Sequence, residues 1–176
     1  EVSLYIYDRK EIAGGKSTYQ IVQQPVYPAK NTMLSSRRGD LVLLINGMPL
    51  IHIELKKSGI PVSQATNQIE KYVHEGVFTG LFRLVQIFVA MTPDDAVYFS
   101  TPGADKFNPS YYFHWADYNN EPICGGQHPG KDEWKLFIGG TSGTAGLLSI
   151  PMAHQLIGFY TIADSADGCL KVLRSY

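Results

Sequence analysis

Few features of this chain point outward to a membrane, a secretory pathway or a highly charged partner. Its 176 residues hold only two cysteines, Cys124 and Cys169, too far apart to match any metal-ligand spacing; they read as reduced intracellular thiols rather than a disulfide framework. Charged residues make up 18% and the net charge is −1, so no basic surface is available to grip nucleic acid over its whole extent; any contact with DNA is confined to a local patch or shared with a larger assembly. The longest apolar run, Leu84 to Met91, is interrupted by Gln86 and is far too short to span a bilayer. No secretory signal precedes the first strand pattern, and there are no internal repeats. A cytoplasmic location is the expectation. Gly15-Lys16-Ser17-Thr18 superficially suggests a phosphate loop, but the position that should carry its first glycine is Lys10, which excludes it. The glycine-rich stretch Gly139 to Gly146 lacks lysine and reads as a flexible connection. The chain starts at Glu1 without Met and stops within an apolar–basic pattern, as expected of a piece of a longer protein.

What the chain does have is 44% hydrophobic residues, enough for a substantial core, and an ordered alternation of strand and helix signals. Val2–Tyr7 and Tyr19–Val26 favour strands. Leu41–Ile45 and Met48–Leu55 flank Asn46-Gly47, a strong hairpin signal because both residues tolerate φ > 0. Ser63 is positioned to cap a helix running to about Glu75, with Ala65, Ile69, Tyr72 and Val73 as its apolar stripe. Strands are then expected over Leu81–Thr92, Val97–Ser100 and Tyr111–Trp115. A short element follows near Trp134–Ile138, and a helix over Leu147–Ile162 with Pro151 in its first turn. This order predicts an α/β fold with a mixed central sheet flanked by helices. Residues 1–176 are read as a single domain, with a core over about 1–116 and a glycine-rich connection and helical tail over about 117–176.

The hairpin carries the chemistry. Side chains alternate faces along a strand, so Leu50, His52, Glu54 and Lys56 share one face of the second strand, and Asp40 shares a face with Val42 and Leu44 on the first. A three-residue loop, Asn46 to Met48, pairs Ile45 with Pro49 and brings Asp40 opposite Glu54. Two facing carboxylates repel unless a cation lies between them; the alternative is a solvated strand edge in which Asp40 caps a turn. Phosphodiester hydrolysis uses such a set: carboxylates for a hard cation such as Mg²⁺, and an ammonium to orient water or stabilise developing charge. The Leu55 carbonyl could complete the shell. Gln68 and Tyr72, four apart, meet on one helix face. Arg37 and Arg38 precede Asp40 and could reach phosphate. His52 shares the Glu54 face as a candidate supporting group, whereas His128 and His154 read as structural. The aromatic run Tyr111–Trp115 reads as a buried strand.

Asp40 followed by Glu54-Leu-Lys56 resembles the PD-(D/E)xK nuclease motif, with Gly39 in place of its proline. Gln68-Ile-Glu-Lys-Tyr72 resembles the QxxxY element of the RecB-like branch. Arg37-Arg-Gly-Asp-Leu-Val-Leu-Leu-Ile-Asn-Gly-Met-Pro-Leu50 with Ile-Glu-Leu-Lys56 and Asn67-Gln-Ile-Glu-Lys-Tyr72 is similar to the R (restriction) subunit of type I restriction–modification enzymes, over roughly residues 18 to 176. The resemblance implies a restriction-endonuclease-like fold and Mg²⁺-dependent cleavage of double-stranded DNA. It implies partnership with methyltransferase and specificity subunits, and an ATP-driven motor that this chain does not contain. It makes Asp40 and Glu54 the metal ligands, Lys56 the residue acting on water, and Gln68 and Tyr72 supporting or DNA-contacting groups. Members often add an acid from a helix before the first strand. The alternatives are another PD-(D/E)xK nuclease, such as a resolvase or repair exonuclease, or a non-catalytic module of this fold that binds DNA or docks subunits.

Overall fold

The central hairpin turns on Asn46 (φ 52°) and Gly47 (φ 80°), the pair of positive φ values that a two-residue turn matched to strand twist requires. The computed structural model describes residues 8, 15–29, 35–100, 107–125, 132–166 and 168–173; the strand expected over Val2–Tyr7 and His128 fall outside them. Strand β4 (Leu41–Ile45) pairs antiparallel with β5 (Met48–Leu55). The turn is one residue tighter than the expected three-residue loop, because Ile45 pairs with Met48. A register shift between Leu43 and Leu44 then inserts Leu50 as an extra residue, since Leu44 pairs with Pro49 and Leu43 with Ile51. Proline has no N–H for the ladder and is tolerated inside sheets mainly at such bulges. The bulge offsets the tighter turn. Leu41 lies opposite Ile53, so the next pair outward is Asp40 and Glu54, as the longer loop would also have given. It does change Leu50, which packs with Ile51 and Ile53 rather than on the face of His52.

Around this hairpin the sheet runs β1-β4-β5-β6-β7, with β1 at Tyr19–Gln23, β6 at Ile87–Met91 and β7 at Ala96–Ser100. Among the described residues only β5 and β6 pair in parallel, and a parallel pair needs a crossover, supplied by helix α1 (Ser63–His74). Burial on both faces explains the unbroken apolar run of β6: Ile87, Val89 and Met91 pack into one core, Phe88 and Ala90 into another beneath α1. Ala65, Ile69 and Tyr72 are buried as expected of the stripe. Ser63 is the first helical residue and caps nothing; Val62 occupies the cap position without a side-chain bond. The structure is the mixed α/β arrangement of a central sheet flanked by helices, consistent with a restriction-endonuclease-like fold.

Several elements differ from their sequence signals. The expected strand over Tyr19–Val26 breaks at Gln24 (φ 51°), and Val26–Tyr27 forms a separate short strand, β2, paired with β3 (Arg37–Arg38). Gly80–Leu84 is a 3-10 turn, with Leu81 facing solvent, so the strand expected over Leu81–Thr92 begins only at Ile87. Tyr111–Trp115 contributes one bridge, Tyr98 to Phe113, rather than a strand; Trp115 is buried while Tyr111 is exposed. Helix α2 (Trp134–Gly139) is followed by a glycine stretch that packs tightly: a Cβ on Gly146 would lie 2.3 Å from the Ile138 carbonyl oxygen. This is a close backbone approach, made at Gly140 and Gly146, whereas Gly139 and Gly143 have open space around them. Helix α3 (Ile150–Gly158) ends earlier than expected, and Thr161–Asp164 forms strand β8, paired with β9 (Cys169–Val172). Phe137, Leu147, Leu156 and Ile157 share the core that holds Ile45 and Ile53.

Gly39 enables the approach of the short β2–β3 ribbon. It is buried, and its N–H donates to the Pro25 carbonyl (3.0 Å). A Cβ there would meet His52 Cε1 at 2.8 Å and the Tyr27 ring at 2.9 Å. This gives a physical reason for glycine where the motif usually has proline. Gly39→Ala is expected to destabilise the fold by about 1–3 kcal/mol through overpacking. Gly39→Pro, which also removes the N–H, is expected to destabilise it further. Urea unfolding with an unchanged m-value checks both. At the far end of α1, Arg37 Nε and Nη2 donate to both Glu75 carboxylate oxygens (2.7 and 2.8 Å). This hydrogen-bonded pairing holds the Glu75 carboxyl below its ordinary range. A depressed folded-state pKa gives stability that is present above the unfolded carboxyl pKa and is lost as pH falls through the folded value. Arg37→Met is therefore expected to lower stability near neutral pH, with the difference from the parent shrinking in acid. Thermal melts across pH 2.5–7.5 (about the carboxylate range and above it) would show it; a pH-independent difference would refute it.

Candidate active site

The facing acids are fixed differently. Asp40, at the mouth of β4, is half-buried, and its Oδ2 accepts the Leu55 N–H at 2.7 Å. Its side chain thus replaces the next rung of the ladder and holds the backbone between Glu54 and Lys56. Glu54 is 1% exposed. Its Oε1 lies 3.4 Å from Lys56 Nζ, and its Oε2 is buried with no hydrogen-bond partner. Burying a carboxylate oxygen without a partner is costly, so this atom marks a place for a donor or a cation. The end of β5 is itself held in the sheet, where the Lys56 N–H donates to Met91 O (2.9 Å).

Helix α1 supplies the next part. Lys56 Nζ donates to Gln68 Oε1 (2.6 Å), Gln68 Nε2 donates to the Tyr72 hydroxyl (2.7 Å), and that hydroxyl donates to the Arg38 carbonyl (3.0 Å). The directions follow from chemistry. An ammonium only donates, so the amide must turn its oxygen to Lys56 and its nitrogen to Tyr72. The phenol then accepts from Gln68 and passes its proton to the backbone just before Asp40. Four-residue spacing on α1 thus ties the lysine to the strand that carries the first acid.

Under this net lies a pair that spacing alone does not reveal. Tyr27 and His52 are both fully buried, and Tyr27 Oη is 2.7 Å from His52 Nδ1. His52 Nε2 lies 3.5 Å from Glu54 Oε2 and likewise lacks a hydrogen-bond partner. Burial pushes the Tyr27 phenol well above its ordinary pKa, with Glu54, Tyr72 and Asp40 adding to the shift. Burial also raises Tyr72, again with contributions from Glu54 and Asp40. Both phenols therefore feel both carboxylates. Tyr27 comes from β2, 25 residues before His52; its only local sign is its place between Pro25 and Pro28.

Asp40 and Glu54 form an oxygen donor set of the kind a hard divalent cation takes, one or two carboxylates with water completing the shell. Glu54 contributes a buried carboxylate whose Oε1 has only a long 3.4 Å contact to Lys56, a group such an ion can take. Among the described residues, no group of three or more His, Cys, Asp or Glu side chains converges in a metal-binding arrangement. Of the two arginines, Arg37 is engaged by Glu75 rather than turned to the site. The Arg38 side chain is exposed, with a 3.5 Å contact to Gln24, while its carbonyl receives Tyr72. Lys57 is exposed. His154 is buried between the Tyr19 hydroxyl and the Asp8 carbonyl, in keeping with a structural part. No helix of the described residues is long and apolar enough to cross a membrane.

The sequence has counterparts among known proteins. Residues 2–107 match the model of the type I restriction enzyme R protein N terminus. The chain is 34% identical over 125 residues to a type I restriction enzyme endonuclease subunit, SauMSSORF170P, of Staphylococcus aureus strain MSSA476, a match covering 70% of this chain and 12% of that protein. It is 40% identical over 86 residues to the SsaAORF53P endonuclease subunit of Staphylococcus saprophyticus, covering 49% and 9%. It is 34% identical over 124 residues to the EcoprrI endonuclease subunit of Escherichia coli, covering 69% and 38%. The chain therefore spans only a minor part of the length of these relatives, and the residues that match the family model, 2–107, include the facing acids, the lysine and the α1 brace. On this evidence the chain belongs to the family of type I restriction enzyme R protein N termini.

Proposed function

We propose that this chain is the Mg²⁺-dependent nuclease domain of an R subunit, hydrolysing phosphodiester bonds of double-stranded DNA. It would act inside a type I restriction complex with methyltransferase and specificity subunits. In this reading an ATP-driven motor lies elsewhere in the subunit, and residues 117–176 lead toward it. The observation that carries the reading is the hydrogen-bonded run from Glu54 through Lys56, Gln68 and Tyr72 to the Arg38 carbonyl, beside an Asp40 carboxylate held by the Leu55 N–H.

Asp40 and Glu54 would hold the cation. When bound, it supplies charge neutralisation at the scissile phosphate and a water acidified enough to attack. Lys56 has three N–H donors. Two point at Gln68 Oε1 and Glu54 Oε1, which leaves the third to orient the attacking water or to meet charge on a phosphate oxygen. Gln68 prevents the ammonium from collapsing onto Glu54, and Tyr72 prevents Gln68 from turning over. The Leu55 N–H keeps the Asp40 carboxylate aimed across the hairpin. Arg38, exposed beside Asp40, is the arginine available to a DNA backbone.

Asp40→Asn and Lys56→Ala, placed in the full-length subunit within its complex, are each expected to reduce DNA cleavage at least about 100-fold while DNA-stimulated ATP hydrolysis continues. Gln68→Ala is expected to reduce cleavage by about 10- to 100-fold because Lys56 loses its orientation. Parental cleavage rates in Asp40→Asn or Lys56→Ala would overturn the nuclease reading in favour of a docking module.

A further inference from the structure

Two buried atoms beneath the acids, His52 Nε2 and Glu54 Oε2, lie 3.5 Å apart, and neither has a hydrogen-bond partner. Each would be costly to bury unpaired, and together they make a natural donor–acceptor couple if the His52 proton sits on Nε2. What sets that proton is the group on the other ring nitrogen. Here it is the Tyr27 hydroxyl, 2.7 Å from Nδ1. Burial and the nearby carboxylates keep the phenol protonated, so it can donate to Nδ1 and leave the ring proton on Nε2.

We propose that Tyr27 and His52 are positioning residues: Tyr27 donates to His52 Nδ1, and His52 thereby presents Nε2–H to the inner oxygen of Glu54. This inference rests on the two-acid reading above and adds to it the groups that hold one acid from behind. Glu54 is then gripped on both sides, by Lys56 at Oε1 and by His52 at Oε2. That leaves its carboxylate only a small adjustment to make when it meets a cation. The surroundings enforce the ring's orientation. His52 packs edge-on against Tyr27, Tyr72, Phe78 and Phe88, with centroids 5.2 to 6.2 Å away. Gly39 supplies the missing Cβ volume where the His52 and Tyr27 rings approach the backbone. The departure from proline at position 39 and the presence of the Tyr27–His52 pair are thus two sides of one packing arrangement.

The test is the protonation of the ring itself, read from long-range ¹H–¹⁵N correlation spectra of the chain labelled on histidine, at one fixed neutral pH. The chain has five histidines, and loss of a signal in His52→Gln assigns the ring. Wild-type His52 is expected to carry its proton on Nε2 alone, and Tyr27→Phe, which keeps the ring packing, is expected to give a mixture of tautomers. In parallel, calorimetric titration with Mg²⁺ alone is expected to show affinity weakened by about 10- to 100-fold in Tyr27→Phe. In His52→Gln, which keeps an N–H near the Nε2 position, affinity is expected to fall less than in His52→Leu. A wild-type ring protonated on Nδ1, or on both nitrogens, overturns the proposal. So does a Tyr27→Phe chain with the parental tautomer and parental Mg²⁺ affinity. If the wild-type chain binds no Mg²⁺ at all, the cation reading of the site fails, while the ring spectra still decide the tautomer claim.

Discussion

A lysine ammonium can only donate, and the geometry of this site depends on that constraint. Because Lys56 reaches Gln68 at 2.6 Å, the amide of Gln68 has one permitted orientation, the Tyr72 hydroxyl has one permitted role, and the proton of Tyr72 must go to the Arg38 carbonyl. A single direction of donation therefore runs from the end of β5, through Gln68 and the buried Tyr72 of α1, to the backbone that introduces Asp40. Reversing any link leaves two donors or two acceptors facing each other in a partly dry space, where an unmet polar group is most costly. The brace and the charged residue are in this sense one object.

The hairpin sets what this object can hold. Its turn takes the two-residue form that Asn46 and Gly47 favour, and a bulge at Leu50, beside a proline that cannot donate, restores the alignment of Asp40 with Glu54. The extra residue moves Leu50 into the main core and leaves His52, Glu54 and Lys56 alternating toward the other face. The acids face each other because the sheet positions their backbones. The Leu55 N–H and the groups around Glu54 then keep the carboxylates from swinging away.

The strand pair, the parity of Asp40 and Glu54, and the meeting of Gln68 with Tyr72 could be read from sequence because each depends on local periodicity. The residues it did not reveal depend on contacts distant in the chain. Tyr27 is brought to His52 by a short ribbon that exists only because the chain kinks at Gln24. Arg37 looked available to phosphate, but Glu75, at the C-terminal end of α1, captures it with two hydrogen bonds. Gly80–Leu84 carries the apolar residues of a strand, yet the turn at Gly80 and the exposed Leu81 make it a 3-10 segment. Gly139–Gly146 has the composition of a linker, but the backbone closes on itself there because no side chain intervenes. In each case composition was a weaker guide than the neighbour that the fold supplies.

The proposed site requires Asp40 and Glu54 to hold a hard cation jointly. The most direct measurement is anomalous diffraction from crystals of this chain soaked in Mn²⁺, which takes the same oxygen ligands as Mg²⁺. Joint ligation is expected to give an anomalous peak bonded to one oxygen of each carboxylate at about 2.1 Å, with Lys56 and Gln68 still joined. Crystals in which Mn²⁺ binds elsewhere, or not at all, while Asp40 and Glu54 remain as described would contradict it.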